Sequence, residues 1–153
     1  MNPQETIATN TENSEKHTTL VAAIAAADLK EVLNTEGPFT VFAPSDIAFG
    51  KLSNEKIVEL LQPENKQLLK SLITYHIVAG NFSASKILKA MCRGEGKASF
   101  TTVQGEKLVA TMGGIDIVLT DNNGNTARIT TADSEQSNGV IHEIDSVFLP
   151  GTP

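Results

Sequence analysis

The sequence predicts an α+β domain, and two observations lead to that class. Before residue 97, apolar residues recur at the spacing of about 3.6 that is typical of amphipathic helices. Beyond residue 97 the spacing drops to about two and β-branched residues dominate, which is typical of antiparallel strands joined by short turns. One apolar segment early in the chain is expected to join the sheet formed by the second half.

Apolar stripes and their caps predict five helices and one buried strand in the first part of the chain. In chain order these are a helix over 19–33, a strand over 39–43, a short helix starting at Ser45 or Asp46, a helix after Ser53, a helix from Pro63 to His76, and a helix from Ser83 or Ser85 through Met91. Glycines end several of them, because glycine and proline interrupt regular structure.

Five strands are predicted in the second part of the chain. They cover 98–103, 107–112, 115–120, 126–132 and 140–149. Asn123-Gly124 is a hairpin signal, so the segment 121–125 is expected to be a turn and not a calcium loop. A loop is expected before Gly139. Asn138-Gly139 is predicted to form a turn with a positive φ at Gly139 that sets the register of the last strand.

The N-terminal 17 residues are mostly polar, and Ile7 is their one large aliphatic side chain. We therefore expect this lead-in to have little to bury, to fray or form at most a frayed first helix, and to leave His17 solvated. The domain is expected to span 18–150, with 151–153 as a C-terminal tail. No secretory signal can be read at the start, which fits either a cytoplasmic protein or one whose signal has been removed.

Length and charge fit one domain of 153 residues with 12 basic and 18 acidic side chains, a net charge of −6. Such a chain buries roughly 70% of its unfolded surface, so it needs no disulfide or structural metal. A negative chain without a cluster of Lys or Arg argues against nucleic acid and anionic membrane surfaces as partners. The longest apolar run, 20–27, is far shorter than the ~20 residues of a membrane-spanning helix.

Few signatures of catalysis are present. No nucleophile elbow, phosphate loop or zinc motif is complete, and neither a metal nor a cofactor is expected. Cys92 is the one cysteine and is expected to be inert and partly buried. His76 and His142 lie in apolar patterns and are expected to be structural. A small metal-dependent or hydrolytic enzyme using either histidine stays open as an alternative, as does a homotypic assembly module.

Three motifs in order are recognisable. Residues 37–49 read GPFTVFAPSDIAF, residues 137–150 read SNGVIHEIDSVFLP, and Tyr75-His76 lies between them. Together they closely resemble the signatures of the fasciclin domain, the cell-adhesion module of fasciclin, periostin and the transforming-growth-factor-β-induced protein. The residues of the two longer motifs expected to be structural are Thr40, Phe42, Pro44, Ser45, Asp46, Phe49, Asn138, Gly139, His142 and Asp145.

The resemblance implies an α+β fold of helices around a β wedge and a non-enzymatic domain that acts by adhesion or ligand binding. It implies a secreted, periplasmic or cell-surface location, and the single copy looks like a bacterial member. The expected partner is an extracellular protein or polysaccharide, with the protein a monomer or weakly self-associating.

In animal members of that family the Tyr-His region is assigned to integrin-dependent adhesion. By position, the corresponding candidate binding residues are Leu68, Leu69, Leu72, Ile73, Tyr75, His76 and Ile77. The competing interpretation is that the same side chains are the buried stripe of a helix, so that mutating them would unfold the domain.

Asp46 stands where the family usually has asparagine. If the helix that begins there packs beside Tyr75-His76, its carboxylate would favour the charged imidazolium and raise the pKa of His76.

Overall fold

A mixed architecture of helices and a seven-stranded sheet confirms the predicted α+β class. The computed structural model describes residues 2–148, so the expectations for Leu149, Pro150 and the tail 151–153 lie outside the described residues. The helices are α1 (Ile7–Glu12), α2 (Thr18–Ala26), α3 (Asp46–Phe49), α4 (Asn54–Leu60), α5 (Lys66–Tyr75) and α6 (Ala84–Arg93). The strands are β1 (Phe39–Pro44), β2 (Ile77–Ala79), β3 (Ala98–Thr101), β4 (Lys107–Gly113), β5 (Asp116–Thr120), β6 (Thr126–Gln136) and β7 (Gly139–Ile144).

The sheet has the strand order β2-β1-β7-β6-β5-β4-β3. The early strand β1 joins it as expected, parallel to β7 and antiparallel to β2, and the other neighbouring strands are antiparallel. The sheet is curved so that its two end strands, β2 and β3, approach each other. Val78 of β2 forms a β-bridge with Thr102, which follows β3, and the Val103 N–H donates to the Ile77 carbonyl at 2.8 Å. Both end strands are thereby partly paired, which protects their backbone groups.

Strand β1 separates two hydrophobic cores. Val41 and Ala43 belong to the core that α1, α2 and α5 build, whereas Phe42 belongs to the core between α6 and the sheet. This alternation follows from the pleat of a strand, in which successive side chains point to opposite faces. The run of apolar residues in β1 therefore reflects burial on both faces of the strand.

Serine caps begin the helices where the sequence predicts them. The hydroxyls of Ser45, Ser53 and Ser83 each accept a hydrogen bond from a backbone N–H in the first turn of α3, α4 and α6, at 3.1–3.3 Å. Such caps satisfy donors that would otherwise have no partner within the helix.

Several element boundaries differ from the expectation. The predicted helix over 19–33 ends at Ala26, because Asp28 adopts a φ of +57° and a short 3-10 turn follows at Val32–Asn34. Its apolar spacing continues through the break because Leu29 and Leu33 are still buried. Strand β2 was not predicted, since three residues are too few to show a period.

The last hairpin also differs from the expectation. Strand β6 runs on to Gln136, where the sequence predicts a loop after Ala132, and it contains register shifts between Ile129 and Ser134. Strand β7 ends at Ile144, before the predicted end. At a β-bulge, two residues of one strand lie opposite a single residue of the neighbouring strand. The alternation of apolar and polar residues that predicts a strand is therefore interrupted within β6.

The polar N-terminal segment packs against the rest of the fold. Ile7 and Ala8 of α1 are buried in the first core, and Asn10 and His17 are buried as well. The expectation that this segment has little to bury is wrong, because it is hydrogen-bonded to the β6–β7 end of the sheet: the Asn10 amide donates to the Gln136 side chain, and the Ser137 N–H donates to the Glu5 carbonyl. The expectation that His17 is solvated is wrong as well, since His17 is only 3% exposed. The domain boundary at residue 18 stays a prediction.

Candidate functional site

Helix α5 and strand β2 carry the seven residues that the sequence proposes for ligand binding. Leu68 lies on the outer face of α5 and is 41% exposed. The other six are at most 4% exposed; they are Leu69, Leu72, Ile73, Tyr75, His76 and Ile77. A ligand that approaches this surface therefore contacts Leu68, while the other six belong to the core.

Tyr75 is anchored at both ends of its side chain. Its hydroxyl donates a hydrogen bond to the Lys107 carbonyl at 2.9 Å, and its ring packs against Phe148 with centroids 6.0 Å apart. Burial raises the pKa of the Tyr75 phenol. The residue thus ties the end of α5 to the start of β4.

His76 is enclosed by backbone groups. Its Nδ1 atom lies 2.7 Å from the Leu72 carbonyl, and its Nε2 atom lies 3.1 Å from the Phe148 N–H. A carbonyl needs a donor and an N–H needs an acceptor, so the partners assign the neutral tautomer with the proton on Nδ1. Burial lowers the pKa of His76 to about 4.

Asp46 acts on α2 and not on His76. Its carboxylate accepts hydrogen bonds from the Thr19 N–H at 2.9 Å and from the Thr18 hydroxyl at 2.8 Å, at the first turn of α2. Burial tends to raise the pKa of Asp46, but these hydrogen bonds outweigh it and hold the pKa below its ordinary value. The expectation that Asp46 raises the pKa of His76 is wrong, since burial dominates at His76.

His142 has the same kind of environment on the other side of β1. Its Nε2 atom donates to the Phe82 carbonyl at 2.7 Å, and its Nδ1 atom accepts the Asp133 N–H at 3.1 Å. Its ring stacks on Phe42 with centroids 5.7 Å apart, and burial lowers the pKa of His142. Asp133, in the β6 bulge with a φ of +62°, also accepts the Ala84 N–H at 2.8 Å.

Asn138 connects three segments that are distant in sequence. Its side-chain oxygen accepts the Ile7 N–H at 2.9 Å, and its amide nitrogen donates to the carbonyls of Leu33 and Thr35, both at 2.7 Å. Both N–H donors of this buried amide and one lone pair of its oxygen are thus hydrogen-bonded to backbone groups. The sequence singles out Asn138 for its turn, but not for this role.

Gly139 is required by a close approach as well as by its backbone conformation. Its φ is +155°, and a Cβ atom added here would lie 1.9 Å from the Phe39 carbonyl oxygen in the neighbouring strand β1. No side chain fits at that distance, so the parallel register of β1 and β7 depends on glycine.

The remaining motif residues hold the two cores in place. The Thr40 hydroxyl donates to the Gly80 carbonyl at 2.8 Å and accepts the Phe82 N–H at 2.9 Å. Asp145 accepts the Arg128 N–H at 2.8 Å. Phe42 and Phe49 are buried, and Pro44 ends β1 opposite Ile144.

Neither candidate histidine has a ring nitrogen free to bind a metal or a substrate. Among residues 2–148, no group of three His, Cys, Asp or Glu side chains could hold a metal ion. His17 differs from the other two, because its Nε2 atom has no hydrogen-bond partner within the described part of the chain and its Nδ1 atom contacts the Ser14 hydroxyl. Burial lowers the pKa of His17 too.

Exposed apolar side chains mark the parts of the surface that could meet a partner. The large ones are Val32, Ile47, Val58, Leu68, Leu88, Val103, Met112 and Ile115. Cys92 is exposed as well, which corrects the expectation of partial burial. No helix within residues 2–148 has the length and apolar character needed to cross a membrane.

Comparison with known proteins identifies relatives over nearly the whole chain. The family model described as "Fasciclin domain" matches residues 15–150. Protein sll1483 of Synechocystis sp. is 40% identical over 137 residues, which are 90% of this chain and 69% of that protein. Immunogenic protein MPB70 of Mycobacterium bovis is 34% identical over 152 residues, covering 96% and 70% of the two chains.

Two further matches concern location and fold. Cell surface glycolipoprotein MPB83 of Mycobacterium bovis is 30% identical over 152 residues, 96% of this chain and 61% of that protein. The solved FAS1 domain pair from the insect cell adhesion molecule Fasciclin I has a TM-score of 0.85 at 19% identity. The match covers 96% of this chain and 51% of that one, and at this identity it shows the shared fold alone.

Proposed function

We propose, starting from the fact that this chain belongs to the fasciclin domain family, that it is a non-enzymatic adhesion or ligand-binding domain of the cell surface or extracellular space. The relative MPB83 is a cell surface glycolipoprotein, and the solved structural neighbour comes from a cell adhesion molecule. Both support a secreted, periplasmic or surface location and a role in recognition.

One observation carries the non-enzymatic part of the proposal: both ring nitrogens of His76 and of His142 are hydrogen-bonded to backbone groups. A general base must lie within hydrogen-bond reach of the proton it removes. A metal ligand needs a nitrogen lone pair, and in each ring that lone pair accepts a backbone N–H. The alternative of an enzyme built on these histidines would require breaking the hydrogen bonds that hold the fold together.

Ligand contact on α5 is proposed to involve Leu68 and its exposed polar neighbours Gln67 and Lys70. The buried candidates, such as Leu72, support this surface from below. The ligand is an extracellular protein or polysaccharide.

The experiment is binding of the labelled, folded domain to intact cells, immobilised matrix proteins and immobilised polysaccharides, with a heat-unfolded sample as control. We expect saturable binding by the folded form alone. The variant Leu68→Glu should lose at least about tenfold in affinity at an unchanged melting temperature, because a charge replaces an apolar contact. Val58→Glu, a matched change at a residue 57% exposed on α4, should bind like the wild type.

The results separate location from function. Unchanged binding by Leu68→Glu would remove the ligand from α5 but leave adhesion standing. Absence of saturable binding to every surface would contradict the adhesion role. Stoichiometric metal in the purified protein would favour the enzyme alternative, and mass that rises with concentration would favour homotypic assembly.

A further inference from the structure

The outer face of α6 and the tip of the β4–β5 hairpin form a surface that the proposed function does not use. We call it the α6–hairpin patch. Its apolar members are Leu88, Cys92, Met112 and Ile115, and its cations are Lys86, Lys89, Arg93 and Lys97. All eight side chains are exposed.

The cations give the patch a charge opposite to that of the whole chain. Together with the carboxylate of Glu95 they leave a net charge of +3 over residues 84–97, in a chain whose total is −6. None of the four forms an ion pair with another described residue. Residues 86, 89 and 93 recur at the spacing that places side chains on one helix face.

Ile115 is the most exposed large apolar residue of the described chain, at 95%. It stands with Gly114 in the two-residue loop between Gly113 and Asp116, and the Gly114 φ of +67° suits a hairpin turn. Such loops ordinarily carry polar residues. An isoleucine here gains nothing in folding, because it buries almost no surface.

The tip is held in a fixed shape from the neighbouring strand. The Arg128 guanidinium donates to the Gly113 carbonyl at 3.0 Å and pairs with the Asp116 carboxylate at 3.1 Å. Ile115 therefore lies in a turn whose conformation is fixed by Arg128, so the turn loses less conformational entropy when Ile115 contacts a partner.

Helix and hairpin form one continuous surface. Leu88 and Met112 line the same shallow hollow, together with Cys92. Met112 also lies on the face of β4 that carries the buried Leu108 and Ala110, so it extends that apolar face outward beside α6. The apolar residues thus continue from α6 toward the protruding turn at Ile115.

We propose that the α6–hairpin patch docks on a lipid bilayer that carries anionic headgroups. Ile115 and Met112 enter the interfacial layer, and the cations of α6 contact headgroup phosphates. Ile115 is almost fully exposed at the end of a hairpin, and the adjoining hollow is open to solvent, which suits a fluid layer better than the folded surface of an acidic partner. The negative remainder of the chain is repelled by the same bilayer, so the field orients the patch toward it. The argument from the sequence against anionic membranes overlooked the four cations within residues 86–97 and relied on a net charge that averages over both faces of the protein.

The test is co-sedimentation of the full chain with vesicles of phosphatidylcholine alone or of phosphatidylcholine with phosphatidylglycerol. We expect binding to the anionic vesicles only, decreasing as salt rises. Lys89→Glu with Arg93→Glu should weaken it by roughly tenfold or more, and Ile115→Ser by several-fold. The matched controls are Lys16→Glu with Lys51→Glu, two exposed lysines outside both proposed surfaces, which changes net charge equally, and Val58→Ser, which removes an exposed apolar side chain elsewhere.

A second readout uses the single cysteine. An environment-sensitive fluorophore on Cys92 should shift to shorter wavelength with anionic vesicles and not with neutral ones. The melting temperature of each variant establishes that it is folded, and binding to the adhesion ligand through Leu68 should be unchanged.

The proposal is overturned if the protein pellets without vesicles, pellets equally with neutral vesicles or fails to pellet with either. It is also overturned if the control variants weaken binding as much as the patch variants. Binding to polyglutamate that depends on Lys89 and Arg93, in the absence of vesicle binding, would instead assign the patch to an acidic protein partner.

Discussion

The Nε2 atom of His76 accepts a hydrogen bond from the backbone N–H of Phe148 at 3.1 Å, and the two rings pack with centroids 5.5 Å apart. His76 follows α5 and Phe148 follows β7, so this contact joins the helical part of the chain to the end of the sheet. Protonation of Nε2 would remove the acceptor and place a charge in the core. The contact therefore depends on a neutral imidazole.

Acid should destabilise the protein before its carboxylates titrate. The pKa of His76 is about 4 in the fold and 6.5 ordinarily, so between these values the unfolded chain binds the extra proton. The stability contributed by the neutral ring is complete above pH 6.5 and is lost as pH falls toward 4. For His76 the loss reaches about 3 kcal/mol, and His142 and His17 act in the same direction.

Urea unfolding at several pH values measures this loss, and NMR titration assigns it to His76. We expect no titration of the His76 ring above about pH 5. A ring that titrates near 6.5 in the folded protein would contradict the prediction.

Replacing Asn138 by alanine should strongly destabilise the domain. The side chain accepts a hydrogen bond from the Ile7 N–H and donates to the carbonyls of Leu33 and Thr35. Its loss removes the partner of two backbone groups in buried residues, Ile7 and Leu33. We expect a loss of about 3 kcal/mol in urea unfolding and faster hydrogen exchange of the Ile7 amide. Ser137→Ala, at the exposed neighbouring residue, is the control and should be close to neutral. Equal effects of the two changes would show that the bridge contributes little.

Gly139→Ala should cost about 3 kcal/mol, because the new Cβ atom cannot coexist with the Phe39 carbonyl oxygen 1.9 Å away. Gly105→Ala is the matched control: φ there is +101°, but an added Cβ meets nothing within 4 Å. It should cost about 1 kcal/mol from backbone conformation alone. Thermal or urea unfolding measures both, and similar midpoints would mean that the close approach is relieved by a small shift of β1.

Asp46→Ala should destabilise the domain by about 1–2 kcal/mol, because it removes the cap of α2 supplied from outside that helix. Asp46→Asn should cost less, since the amide oxygen still accepts a hydrogen bond. The advantage of the carboxylate over the amide is complete above its ordinary pKa of 3.8 and is lost as pH falls below it. Unfolding of the two variants at pH 7 and pH 3 measures the difference; equal stability of Asp46→Ala and wild type would contradict the cap.

The sequence predicted the elements whose signals are local. Serine caps, the helical period of α5 and α6, and the turn at Gly124 depend on neighbours in the chain, and the structure confirms them. The predictions failed where distant contacts decide conformation. Polar α1 is held by Asn138 from the other end of the chain, and β2 exists because β1 offers it a partner.

The candidate site shows the same division. The motif residues Thr40, Asn138 and His142 could be identified by their resemblance to the family. Each has a hydrogen-bond partner at least 42 positions away in the sequence, and the sequence alone did not predict these partners. The apolar spacing of α5 was visible in the sequence. That spacing alone did not tell whether Leu68 or Leu72 faces solvent.

By itself the sequence determined the α+β class, the family and the positions of most elements, because caps, periods and motifs are local properties of the chain. Tertiary structure decided which polar residues are buried and that His76 and His142 are neutral. It also placed the cations of α6 next to the exposed apolar side chains of the β4–β5 hairpin. Those features depend on segments that only folding brings together, where burial and paired backbone groups set the state of each side chain.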